Sequence, residues 1–416
     1  MNQASPLKTG LCAAGLFFGL TTAACNAAPP QELPEVYLTD PARLAEVQAR
    51  VQAGDPALEP AVAALIEIAE ETMELPMVSI ADKPSTPPSG NKNDYVSLSP
   101  YWWPNPDTED GLPYVRRDGE INPERDLYDV NKLGDFGKVV SWCGFAYYFT
   151  GDERFAEEAV KRIEHFLIDP ETRMTPRMQY GQFVPGVNNG RKYGVIETLR
   201  LRWVPDAISL LEGSEAMTPE VMSGARQWFA DYAIWLNTSE FGTGERDGPN
   251  NHGTWAEAQI AYYSAFAGDW DTVKEMADRV PERIAHQFEP NGEQPIEIER
   301  TKGLDYTEFN LRAMTELAVL AERVGVDLWS FQTDDGRSIR QGFDFAMPYF
   351  ASEADWPYKQ ITPHQKKHDW YVQSLRRASI AYDDPRFEEV ISKLDGITGK
   401  GIVFRDLIIS LPAESE

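Results

Sequence analysis

Cysteine is nearly missing from this chain: there are three in 416 residues, at positions 12, 25 and 143. Two of them fall within the first 28 residues, so the rest holds Cys143 alone and cannot build a disulfide framework. Inside the apolar run VVSWCGFAYYF that thiol reads as part of the core. Basic residues are also short, 39 against 66 acidic ones, for a formal net charge of −27. Such a balance excludes nucleic acid as the partner, because phosphate contacts need a positive surface. Any anionic ligand must therefore meet a local basic patch. The five histidines show no HExxH pattern and no paired spacing with acids, so no metal site and no cofactor is expected, although calcium held by Asp and Glu alone stays open. There is no sustained alternation of apolar and polar residues of the kind strands produce, and no short identical repeat.

What is present is enough apolar material, 42% of the residues, to bury a sizeable core. Residues 1–28 have the form of an export signal, with Lys8 ahead of LCAAGLFFGL and small residues in TTAACNAA. The run is too short to span a bilayer. Cleavage after the Ala-rich stretch and lipidation of Cys25 both fit, since TAAC resembles a lipobox with Thr22 in place of a larger aliphatic residue. The protein is thus expected to be periplasmic or anchored at the outer membrane, with no transmembrane segment after the signal. Helical periodicity follows over 41–75, 152–167, 218–236, 252–267, 270–288 and 305–323. In 252–267, Trp255, Ala258, Tyr262 and Ala265 share a face and Gly268 supplies a stop. Residues 309–321 are apolar almost all round, as in a helix packed on both sides. An all-α chain of antiparallel helix pairs winding into a toroid, one domain over 29–416, accounts for this pattern.

Two stretches break it. Residues 75–126 are rich in Pro, Gly, Asn and Asp, and a loop of that length is functional or disordered. Its Tyr101, Trp102 and Trp103 offer flat apolar faces and Arg116 and Arg117 offer carboxylate partners; the aromatics can equally serve to pin the loop to the helices. Within MTPRMQYGQFVPGVNNGRKYG, Gln179, Tyr180, Gln182, Arg191 and Lys192 add a polar, partly basic rim. Further on, GPNNHGTW places Asn250, Asn251 and His252 where a helix begins.

The phrases DYVSLSPYWWPNP, GLPYVRRDGEINPE, NNHGTWA and ERTKGLDYTEFNLRAMTELA follow one another in order. Together they resemble the alginate-lyase superfamily of polysaccharide lyases, across roughly residues 60 to 390. The resemblance implies an incomplete (α/α) toroid and cleavage of an acidic polysaccharide, a polyuronate, by β-elimination. It also implies a catalytic set of Asn251, His252, Arg300 and Tyr306. Asn250 is an alternative for the asparagine, and Lys302 lies close to Arg300. No β-sandwich is appended.

The chemistry needs these residue types. A base takes the C5 proton beside a carboxylate, negative charge builds on the carboxylate, and the C4–O bond breaks as its oxygen is protonated. An Asn amide, a guanidinium and an imidazole can mask the carboxylate, helped by the positive end of a helix. Tyr306 can serve as base if Arg300 lowers its pKa from about 10, and then as acid. In mannuronate and glucuronate the C5 hydrogen and C4 oxygen share a side, so one residue suffices; in guluronate they do not, and His252 is the candidate second base. Taken singly, each residue has a plainer role: Asn251 as an N-cap, His252 as a hydrogen-bonding residue, Tyr306 as packing, and Arg300 in a pair with Glu297 or Glu299. In TPHQKKHDWY, His364 and His368 can hold a distant carboxylate or simply mark a basic turn. Two rivals remain. A glycoside hydrolase would draw a carboxylate pair from Asp135, Glu257, Asp305 and Glu308, and a glycan-binding surface lipoprotein would use the aromatic loop alone.

Overall fold

A computed structural model describes residues 33–83, 86–363, 368–394, 397 and 399–411. The expected export signal, with Cys12 and Cys25, lies outside the described residues, as do His364 and the side chain of His368. The helices are α1 (Pro41–Gln52), α2 (Glu59–Met73), α3 (Val130–Thr150), α4 (Glu153–Ile163), α5 (Val204–Leu210), α6 (Pro219–Thr238), α7 (Glu240–Arg246), α8 (Asn251–Ala267), α9 (Trp270–Gln287), α10 (Pro295–Ile298), α11 (Gly303–Glu322), α12 (Ile339–Phe350), α13 (His368–Tyr382), α14 (Pro385–Lys393) and α15 (Lys400–Val403). Residues 34–416 form one compact unit. Among the described residues no helix is long and apolar enough to cross a membrane.

Local signals set the ends. Asp40 caps α1 by accepting the N–H groups of Ala42 and Arg43, and Pro41 occupies the first turn. The single helical stretch expected over 41–75 is two helices, because Gly54 turns with φ +75 between them. Gly268, the expected stop of α8, is left-handed with φ 84 and returns its N–H to Ala265 and Ser264.

The helices fall into two kinds. α9 buries the stripe Val273, Met276, Ala277, Val280 and Ile284, and α4 buries Phe155, Ala156, Ala159, Val160 and Ile163; these are outer helices with one wet face. α8 is buried at Asn251 and at every position from Gly253 to Phe266. The shared face of Trp255, Ala258, Tyr262 and Ala265 is buried, and so are the other faces, since α6, α9 and α11 all pack on it. α11 packs in turn against α9, α12 and α13, α13 against α14 and α15, and α15 against α2, which lies on α3. The helix pairs thus wind round and return. α3 showed no clear period because it too is buried on most sides.

The two irregular stretches are tied down by short ladders. β1 (Val96–Leu98) runs parallel to β4 (Tyr180–Phe183), and β2 (Trp102–Trp103) is antiparallel to β3 (Val115–Arg116). Beneath them α3 meets the segment before α5 at backbone distance. A Cβ on Gly137 would lie 1.9 Å from the carbonyl oxygen of Arg200, so nothing larger than glycine fits without a backbone shift. Gly137→Ala is expected to destabilise the protein by about 1–3 kcal/mol in chemical denaturation; wild-type stability would mean that this crossing is not close-packed.

Candidate active site

The site starts at the head of α8. Arg283 of α9 bonds Glu257 through Nε and Nη2 at 2.6 and 2.8 Å, and its guanidinium also reaches the carbonyls of Gly248 and Arg246 at 2.9 and 2.8 Å. The turn entering α8 is thereby fixed to the outer helix. Asn250 is the N-cap residue but makes no side-chain cap bond. Asn251, fully buried, gives its backbone N–H to Glu297 Oε1 at 2.7 Å and its Nδ2 to Oε2 at 2.6 Å. Asn251 is thus not a side-chain cap. Nor is its N–H left for an anion, and the expected gain from a bare helix end is reduced accordingly. Burial raises the Glu297 pKa against the lowering effect of these two bonds, His252 and Arg300.

His252 follows. Its Nδ1 bonds Oε1 of buried Glu245, and its ring meets Tyr193 edge-on at 5.2 Å. The carboxylate holds the proton on Nδ1 and leaves Nε2 as the ring's other polar atom.

The second half comes from the start of α11. Arg300 Nη2 donates to the Tyr306 hydroxyl at 2.9 Å, and the guanidinium lies 3.9 Å from the centre of the tyrosine ring. Its acidic partner is Asp118 at 3.0 Å, not Glu297 or Glu299. Asp118 also accepts from Thr301 Oγ1 at 3.0 Å, so the aromatic loop is fastened to the turn carrying Arg300. The Tyr101 hydroxyl stands 3.0 Å from that of Tyr306. The Tyr306 pKa is raised, by burial first and by Tyr101 second, with Arg300 pulling the other way. Desolvation thus outweighs the one cation, and Arg300 alone does not bring the Tyr306 pKa below its usual value.

These groups share a cavity of about 800 Å³, well within the range of ligand sites. Its lining includes Arg116, Arg125, Arg191, Arg200, Arg202, Arg300 and Arg312, with Glu197 the one acid among the described residues. This is the basic patch that an acidic protein needs in order to hold an anion. Arg125, Arg191 and Arg200 have no ion pair among the described residues, whereas Arg202 pairs with Glu316 and Arg312 with Glu308.

Of the residues expected at the site, Asn250, Asn251, His252, Arg300, Tyr306, Tyr101, Trp102, Arg116, Gln182 and Arg191 line the cavity. Trp103, Arg117, Gln179, Tyr180 and Lys192 do not. Trp103 bonds the carbonyl of Glu120 at 3.0 Å and Arg117 lies over its ring at 5.1 Å. These two hold the loop together, as the plainer reading of the aromatics allowed. Lys192 ties to the carbonyl of Gly244 at 2.8 Å, and Tyr180 is paired with Val96 in the sheet. Sequence reasoning missed Arg125, Arg200, Arg202 and Arg312, which sit at unrelated spacings and meet only in space; it also missed Asp118 as the partner of Arg300, Glu245 as that of His252 and Glu297 as that of Asn251. The carboxylates considered for hydrolysis do not meet in the cavity. Glu257 is engaged by Arg279 and Arg283, and Asp135 by Lys138.

The family model described as alginate lyase matches residues 79–356. The chain belongs to the alginate lyase family. It is 37% identical to an alginate lyase from Bacteroides ovatus of known crystal structure, with a TM-score of 0.86, covering 91% of this chain and 100% of that one. Alginate lyase A1-III from Sphingomonas species A1 shares the fold at 18% identity and TM-score 0.53, covering 85% of this chain and 95% of that one. A variant of A1-III complexed with tetrasaccharide gives 16% identity and TM-score 0.55, with coverage of 86% and 95%. No curated protein matches. The fold is accordingly the (α/α) toroid, and the protein is a polysaccharide lyase.

In this lyase Asp118→Asn removes the charge that holds Arg300 while keeping the side chain's shape. kcat/KM is expected to fall about tenfold or more, and because the two side chains are only 18% and 23% exposed the unfolding midpoint is expected to fall as well. Undiminished kcat/KM would show that Arg300 is held without Asp118.

Proposed function

We propose that the lyase cleaves a 1,4-linked polyuronate, mannuronate-rich alginate or glucuronan, by β-elimination and leaves a 4,5-unsaturated uronate end. The observation that carries this reading is the Tyr306 hydroxyl meeting Arg300 Nη2 at 2.9 Å and the Tyr101 hydroxyl at 3.0 Å, in the cavity that Asn251 and His252 also line. The substrate carboxylate would lie among Asn251, His252 and Arg300, and the N–H groups of Asn251 and Arg300 would meet the charge that develops as C5 loses its proton. Tyr306 would take that proton and return one to the C4 oxygen, which stands on the same side in mannuronate and glucuronate. A phenolate formed there is met by the N–H of Arg300, and the Tyr101 hydroxyl can add a second donor. Trp102, Arg116, Gln182 and Arg191 would hold flanking sugars. The signal-like residues 1–28 would bring the enzyme to its polymer, in the periplasm or at the outer membrane.

The direct test is absorbance of the conjugated C4=C5 uronate with polymannuronate, polyguluronate and glucuronan in turn. A rise on polymannuronate or glucuronan is expected; release of saturated reducing ends with no rise would overturn elimination. Tyr306→Phe is expected to lose turnover by about 10³-fold or more while binding polymer as wild type. Retained turnover would remove Tyr306 from the mechanism. The base form of Tyr306 is the deprotonated one and its pKa is raised, so kcat/KM is expected to climb with pH through neutrality and not to level off below about pH 10. A plateau at neutral pH in the wild type would contradict Tyr306 as the titrating base.

A further inference from the structure

Resting on that reading, we infer that Glu297 is a positioning residue that locks the Asn251 amide in the orientation the reaction uses. Glu297 lies in the four-residue helix α10, is 2% exposed, and spends both carboxylate oxygens on one residue. Oε1 takes the Asn251 backbone N–H at 2.7 Å and Oε2 takes Nδ2 at 2.6 Å. The first bond alone would cap α8, replacing the side-chain cap that Asn250 does not make. Capping does not call for the second bond, and that bond acts on the side chain that lines the cavity.

Its effect is geometric. The two bonds close a chelate, so the Asn251 side chain cannot turn about its χ angles without breaking a charge-assisted hydrogen bond in a buried setting. The amide cannot flip either, because Oδ1 would then face a carboxylate. Nδ2 keeps its other hydrogen for an acceptor in the cleft. Glu297 also sets the neighbouring register. Its carbonyl accepts the N–H of Arg300 at 3.1 Å, so the turn that places the acid also places the arginine lying against Tyr306. One buried residue thus ties the Asn251 half of the site to the Arg300 half.

Glu297→Gln keeps the size, and its amide oxygen can still cap the backbone N–H, but its NH₂ then meets the Asn251 NH₂, donor against donor. The expected result is a fall in kcat of about 10²-fold, with an unfolding midpoint close to wild type. A double-mutant cycle separates positioning from general support: in an Asn251→Ala background the Glu297→Gln change should cost no further activity. If the two losses instead multiply, or if Glu297→Gln lowers the midpoint in proportion to its activity, Glu297 is only a support and the proposal fails. A crystal structure of Glu297→Gln does not depend on turnover or on substrate choice. At a resolution that separates amide nitrogen from oxygen it should show the Asn251 amide flipped, with Oδ1 toward residue 297, or rotated away, and an amide with Nδ2 still held by residue 297 would overturn the proposal whatever the reaction proves to be. Conversely, a rotated amide together with saturated products on every polymer would sink the elimination reading and leave the positioning role standing.

Discussion

A carboxylate leaves water at a cost of several kcal/mol unless its charge is met inside the protein, and that constraint arranges this cleft. The chain as a whole repels anions, with a formal net charge of −27, yet among the described residues the cavity is lined by seven arginines and one glutamate. The acids nearby are already committed: Asp118 to Arg300, Glu245 to His252, Glu297 to Asn251, and Glu197 to the hydroxyls of Tyr95 and Ser97. Each holds a polar group in place, so the donors left over face the cavity. Long-range repulsion is screened within about 8–10 Å at ordinary ionic strength, and the local arginines therefore decide what enters.

The toroid supplies the walls. Inner helices such as α8 and α11 are buried on nearly all sides and cannot shift without disturbing their outer partners, and the reacting side chains stand in or just before their first turns. Arg283 reaching from α9 to the turn before α8 shows how an outer helix transmits its position inward. The loop carrying Tyr101 and Asp118 closes the site from the other side, fastened by its own Trp103 and Arg117 contact.

Much of this was legible in the chain because local chemistry wrote it. Pro and Gly marked helix ends, α4 and α9 showed a 3.6-residue stripe because one face is wet, and the motif order around Asn251, His252, Arg300 and Tyr306 named residues that share one cavity. For α8 the shared face of Trp255, Ala258, Tyr262 and Ala265 was legible but the burial of its other faces was not, because a helix buried all round keeps only a faint period. The partners were not legible. Asp118 and Arg300 are far apart in sequence, as are Asn251 and Glu297, and no spacing rule links them. The Tyr306 pKa was not legible for a related reason: a neighbouring cation can be read from a motif, but the desolvation that outweighs it is a property of the packed cleft.

In the elimination proposed above, one substrate carboxylate sits among Asn251, His252 and Arg300 while Tyr306 faces the adjacent C5. The most direct measurement is a crystal structure of Tyr306→Phe with a mannuronate tetramer in the cleft. The predicted result is a uronate carboxylate within hydrogen-bond distance of Asn251 and Arg300 and beside the His252 ring, with its C5–H directed at ring 306. A carboxylate seated elsewhere in the cavity, or a C5–H turned away from residue 306, would contradict it.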